Sequence, residues 1–172
     1  MDSAIFSSRY FGHCLSCGFC ADACCEHGVD VSVMERDRIL AHAPALAMHV
    51  PADPSTWFVG PTEPDPDFPG GASARTGVSE GRCVFLRRAG RGCLLHAVSL
   101  ELAIDYHVLK PMVSALFPLT FHSGVLLCSD EVEEGTLVCA GDGPTVFAMA
   151  RPELAYYFGE ELVQELDRLA AM

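Results

Sequence analysis

Basic residues are scarce in this chain: 11 Lys and Arg stand against 23 Asp and Glu, for a formal net charge of -12. Nucleic acids and anionic membrane surfaces are recognised through a basic face, so neither is expected as a partner. The one local basic cluster, Arg87, Arg88 and Arg91, reads as a solvated turn. Long apolar runs are missing as well, and none approaches the ~18 residues of a membrane span. The amino terminus has no basic segment leading into an apolar one, so no secretory signal is expected. There is no nucleophile elbow and no phosphate loop. Gly141-Asp142-Gly143 lacks the third glycine and the preceding βαβ pattern of a dinucleotide fingerprint. No internal repeat and no low-complexity tract stand out. The expectation is a cytoplasmic protein with enough apolar residues, 50%, to build a core without disulfides.

Cysteine, by contrast, is abundant. Nine are present, and five of them fall in the segment His13-Cys14-Leu15-Ser16-Cys17-Gly18-Phe19-Cys20-Ala21-Asp22-Ala23-Cys24-Cys25. In a reducing compartment such density reads as ligands or catalytic groups, not as a disulfide framework. At ~100° per residue, a helix would gather Cys14, Cys17, Cys20, Cys24 and Cys25 within an arc of roughly 140°. If the segment loops instead, consecutive Cys-x2-Cys turns bring the sulfurs within reach of one ion. Soft sulfur donors suit zinc, copper(I) or iron–sulfur centres and not calcium or magnesium. The spacing Cys14-x2-Cys17-x2-Cys20-x3-Cys24 matches that of bacterial ferredoxins for a four-iron cluster. It departs from them in having Cys25 where they place proline, and in lacking a second cysteine run.

Around this cluster the local signals describe a small single α+β domain over residues 1–172, with short helices, two β-hairpins and long irregular loops. Ser32-Val33-Met34-Glu35 is a capping box opening a helix from Val33 to about His42. Pro44 is expected to break it, with one more helical turn over 45–49. The proline-dense stretch 51–72 reads as an extended surface loop anchored by Trp57 and Phe58. Cys83–Arg87 and Cys93–His96 flank a glycine-containing turn and predict a hairpin, followed by a helix from Ala97 to Ile104. Asp105 is placed to cap a further short helix. A second hairpin is expected from 121–129 and 136–140 across the acidic turn 130–135. The region 144–172 reads as helical, with Pro144 and Pro152 in first turns and Leu162, Leu166, Leu169 and Ala170 as its apolar stripe.

Taken with Cys83-Val84-Phe85-Leu86, Gly92-Cys93-Leu94-Leu95-His96 and Lys110-Pro111-x4-Leu116-Phe117-Pro118, the first cysteine run resembles the YkgJ-type cysteine-cluster family. That family is described as a zinc- or iron-chelating domain with a Cys-x2-Cys-x2-Cys-Cys signature, and the matching blocks run from about residue 14 to residue 120. Two differences are visible: Ala21 follows the third cysteine, so the doubled cysteine arrives at Cys24-Cys25, and Ser114 stands where the family places a further cysteine. The resemblance implies remote ligands at Cys83 and Cys93, with Cys139 or Cys128 as replacements for the missing one. Cys139, on an expected strand before the Gly-Asp-Gly turn, is the stronger of these two; Cys128 sits in an apolar run and reads as a core thiol. His13, His27 and His96 lie close enough in sequence to complete a site or support it. Asp22 and Glu26, among the cysteines, read as solvated helix positions, with oxygen ligands or catalytic carboxylates beside a metal-bound water as the alternative.

The expected metal ligands are therefore Cys14, Cys17, Cys20, Cys24, Cys25, Cys83, Cys93 and Cys139, holding zinc or an iron–sulfur cluster. Two functional classes follow. One is a metal- or cluster-binding protein without turnover of its own. The other is a metal- or iron–sulfur-dependent enzyme with a protein-methylase-like or redox activity. The second is suggested by a resemblance to the flagellin lysine N-methylases, longer chains that carry this type of cysteine cluster.

Overall fold

The computed structural model describes residues 1–171. The architecture is α+β: seven α-helices and four small antiparallel sheets are present among the described residues. None of these helices is long and apolar enough to cross a membrane. The chain divides into two compact units, residues 13–114 and residues 1–12 with 115–172. Strand β1 (Arg9–Tyr10) belongs to the second of these.

In the unit 13–114, β2 (Asp30–Ser32) runs directly into α1 (Val33–Ala41). The expected capping box is formed: Ser32 Oγ accepts the Glu35 N–H, and Glu35 Oε2 accepts the Ser32 N–H. Helix α1 ends at its C-cap His42 as expected, and Pro44 sits in the first turn of the next helix, α2 (Ala43–Leu46), where its missing N–H has no cost. The stretch 51–72 is not the irregular loop its composition suggests. It contains β3 (Phe58–Pro64), which pairs with β4 (Ala72–Thr76), and β4 in turn pairs with β2. Strand β3 lies at the sheet edge and carries an irregularity between Val59 and Glu63 that takes in Pro61. Edge position and bulge are the two settings in which a strand accepts proline.

Trp57 anchors this segment as expected. It is fully buried, donates its indole N–H to the Ala52 carbonyl at 2.9 Å, and packs edge-to-face on Phe85 at 5.4 Å. Around it Ile39, Leu46, Val84, Leu86, Leu95 and Leu109 form the apolar core of the unit.

The expected first hairpin is absent. Strand β5 (Val78–Ser79) pairs with β6 (Arg82–Cys83), while residues 87–92 form a bend closed by a single bridge between Leu86 and Cys93. Helix α3 (Leu94–Glu101) begins immediately after Cys93, three residues earlier than expected, because Leu94, Leu95 and Val98 bury against the core as a helical face. Asp105 caps the short turn Tyr106–Val108, as its position suggested. Helix α4 (Met112–Leu116) follows.

In the other unit, β7 (Leu119–His122) and β8 (Val125–Cys128) form a hairpin whose turn is Ser123-Gly124. The expected pairing across the acidic segment is thereby replaced: that segment is α5 (Asp130–Glu133). Strand β9 (Ala140–Thr145) pairs with β1. Helices α6 (Val146–Phe158) and α7 (Glu160–Ala170) complete the unit. Pro152 lies inside α6, not in its first turn, and the buried face of α7 is Val163 and Leu166, with Leu169 exposed.

Candidate metal centre

Seven of the nine cysteines, namely Cys14, Cys17, Cys20, Cys24, Cys25, Cys83 and Cys93, lie in the unit 13–114. Cys128 and Cys139 belong to the other unit, where both are buried. All nine are free thiols.

The segment Cys14–Cys25 is a loop and not a helix. A single turn, Cys14–Ser16, is followed by a reversal at Ala21 and Asp22, which both adopt left-handed backbone (φ +53° and +60°), and a second turn spans Ala23–Cys25. Two left-handed residues in succession turn the chain back on itself, so its two ends approach. The Cys14 and Cys24 thiols are hydrogen-bonded to each other, and so are those of Cys17 and Cys20. The Cys24 and Cys25 sulfurs are 3.9 Å apart.

Backbone N–H groups are directed at the sulfurs. Burial opposes ionisation of Cys17, but the N–H groups of Phe19 and Cys20, the Cys20 thiol and the Arg91 charge together outweigh it and hold its pKa below the ordinary thiol value. Burial raises Cys20 first, the Asp22 N–H opposes this, and the hydrogen bond to the Cys17 thiol adds to the rise. Cys14 is driven strongly upward, first by its hydrogen bond to Cys24 and then by burial. Burial also raises Cys93, although the first-turn N–H groups of α3 at His96 and Leu95 favour its thiolate. The positive charge of Lys110, the chain's single lysine, acts on both Cys14 and Cys93. Cys93 also feels Cys83, and Cys25 and Cys93 pack against the core cluster that contains Cys83.

Asp22 and Arg91 correct two expectations. Asp22 is not solvated; it is 5% exposed and ion-paired to Arg91, with Oδ2 3.3 Å from Nη1. Its Oδ1 accepts the Gly92 N–H at 3.1 Å. Arg91, expected in a solvated turn, donates through Nε to the Cys17 carbonyl at 2.8 Å and through Nη2 to Cys20 Sγ at 3.4 Å. Gly92 (φ +77°) packs so closely on this loop that a Cβ would stand 2.9 Å from Leu15 and 3.4 Å from the Cys14 carbonyl carbon. The sequence held a signal for both residues: Asp22 lies between cysteines and Arg91 two residues before one.

The other expected contributors lie around the cluster. Cys83 Sγ is 3.6 Å from Thr76 Oγ1. The His96 ring stands 4.5 Å from that of Tyr106, and His13 and His27 are exposed. Among the described residues, no three His, Cys, Asp or Glu side chains are gathered closely enough to hold an ion as they stand. Cys24 meets both Cys14 and Cys25, and Cys17 meets Cys20. A groove of about 590 Å³ between α1 and β3, lined by Arg36, Leu40, Phe58 and Val59, has no cysteine in its wall.

No protein-family model, no curated protein and no solved structure matches this chain.

Proposed function

We propose that the unit 13–114 binds a thiophilic metal centre, zinc or an iron–sulfur cluster, through the thiolates of Cys14, Cys17, Cys20 and Cys24, with Cys25, Cys83 and Cys93 as its surrounding donors. The observation that carries this reading is the pairing of Cys14 with Cys24 and of Cys17 with Cys20 in one reversed loop. In each pair the two thiols are hydrogen-bonded to one another. A metal supplies at that place a positive charge that replaces the protons, and its uptake therefore releases them. Backbone N–H groups aimed at Cys17 and Cys20, and the cations Arg91 and Lys110 beside the loop, favour thiolates and offset the charge of several together. The donor chemistry fits: all are sulfur, none is oxidised to a disulfide, and the loop has no regular structure that would resist small movements of its ligands. The resemblance to the YkgJ-type cysteine-cluster family points the same way. Cys139, which lies in the other unit, is left out of this set.

Metal and sulfide content, with a visible spectrum, measured on protein purified without oxygen tests the proposal. Iron with sulfide and a broad band near about 400 nm identifies a cluster, while a colourless protein with stoichiometric zinc identifies a zinc centre. Folded protein that takes up neither overturns it.

A further inference from the structure

The cysteines of the unit come from two distant segments, the loop Cys14–Cys25 and the bend that ends at Cys93. One pair of charged residues joins them. Arg91, two residues before Cys93, reaches the Cys17 carbonyl (2.8 Å), Cys20 Sγ (3.4 Å) and the Asp22 carboxylate (3.3 Å) with three different nitrogens. Asp22 returns the contact by accepting the N–H of Gly92, the residue next to Cys93, at 3.1 Å. Asp22 is buried, and Gly92 lies against Leu15 with no room for a side chain. A planar guanidinium can serve three acceptors in fixed directions, which an ammonium on a flexible stem cannot.

Resting on the metal-binding reading above, we infer that Asp22 and Arg91 are positioning residues that make the cysteine loop and Cys93 answer to a single metal centre. Neither is a ligand. Arg91 fixes the backbone at Cys17 and places one positive charge on Cys20. Asp22 fixes Arg91 and the peptide that leads into Cys93. The centre so formed takes one metal equivalent per chain, and its thiolate count includes Cys93.

Anaerobic titration of the full chain with Co²⁺ alone, competed by a chelator, tests this, because the sulfur-to-cobalt charge-transfer absorption reports how many thiolates are bound. The variants are Asp22→Asn, Arg91→Lys and Cys93→Ser, and the double variant Asp22→Asn with Cys93→Ser. Arg36→Gln, which removes the ion pair to Asp37, is the control within the same unit. Asp22→Asn keeps a residue tolerant of left-handed backbone and removes only the charge. Arg91→Lys keeps the charge and removes the fork, and decides the matter if Asp22→Asn does not fold. The expected result is an affinity loss of about 10–100-fold for Asp22→Asn and for Arg91→Lys, with reduced charge-transfer intensity, and none for Arg36→Gln. Cys93→Ser is expected to lower the intensity in the wild-type background and to add little once Asp22 is Asn. A residue that merely supports the fold changes melting without changing the thiolate count or this coupling. Unchanged affinity and spectrum in folded Arg91→Lys, or a Cys93→Ser effect that is the same in both backgrounds, overturns the inference. Wild-type protein that binds no Co²⁺ overturns the metal reading itself, an outcome distinct from the other two.

Discussion

Glu35 Oε1 accepts the backbone N–H of Met112 at 2.7 Å, across 77 residues of chain, while Oε2 of the same carboxylate closes the cap of α1 at Ser32. A side chain that a sequence reads as a local helix signal thus also ties the start of α1 to the start of α4. Both contacts are buried.

Glu35→Ala is therefore expected to cost about 2–3 kcal/mol, more than a helix cap alone, because two N–H groups lose a charged acceptor. Urea unfolding of the two proteins measures it. Ser32→Ala, which leaves the Met112 contact intact, is expected to cost about 1 kcal/mol.

Trp57→Ala is expected to cost about 3–5 kcal/mol, since it empties a fully buried site against Phe85 and leaves the Ala52 carbonyl without its donor. Thermal unfolding followed by circular dichroism reads the loss. Because β3 starts at the next residue, the pairing of Phe58 with Thr76 is expected to lose protection from amide exchange first.

Gly92→Ala places a side chain on left-handed backbone, costing about 1–2 kcal/mol before any displacement of Leu15. The same substitution pushes the bend off the cysteine loop. Metal uptake is expected to weaken with it, whereas Gly81→Ala, also on left-handed backbone but with open space around it, is expected to leave uptake unchanged. A chelator competition assay on both variants distinguishes them.

Cys128 supplies a pH dependence independent of the proposed centre. Burial raises its pKa first; Ser8 opposes this, and the charges of Glu133 and Asp2 add to the rise. Its folded value therefore lies above that of an unfolded thiol, about 8.5. Above that pH the unfolded chain gives up a proton that the folded chain retains, so stability is full below it and falls as pH rises towards the folded pKa. Urea midpoints are expected to drop between about pH 8 and about pH 10, and less steeply in Cys128→Ala.

Loss of metal is expected to act on one unit. Stripping a loaded sample with a chelator should raise amide exchange within 13–114, above all at residues 14–25 and 91–93, with the unit containing β7 and β8 little changed. Hydrogen exchange by mass spectrometry resolves the two.

The capping box at Ser32, the Asp105 cap and the Trp57 anchor were legible in the sequence because each depends on residues a few positions apart. The strand at 58–64 was not, because proline counts against a strand unless the strand is an edge, and edge position is a property of the assembled sheet. The hairpin expected at Cys83–His96 failed for a related reason: Leu94-Leu95 fits a strand or a helix, and burial of Val98 on the same face decided for the helix. At the candidate centre the cysteines themselves stood out by density. Asp22 and Arg91 did not, since 69 residues separate them and only the packed bend at Gly92 brings the acid and the base together.

The two thiol pairs of the reversed loop nest. Cys17 with Cys20 lies inside the span of Cys14 with Cys24, as an inner pair of parentheses lies inside an outer one. Nested links do not cross, so either can open or close while the other stays as it is, and no part of the chain has to thread past another.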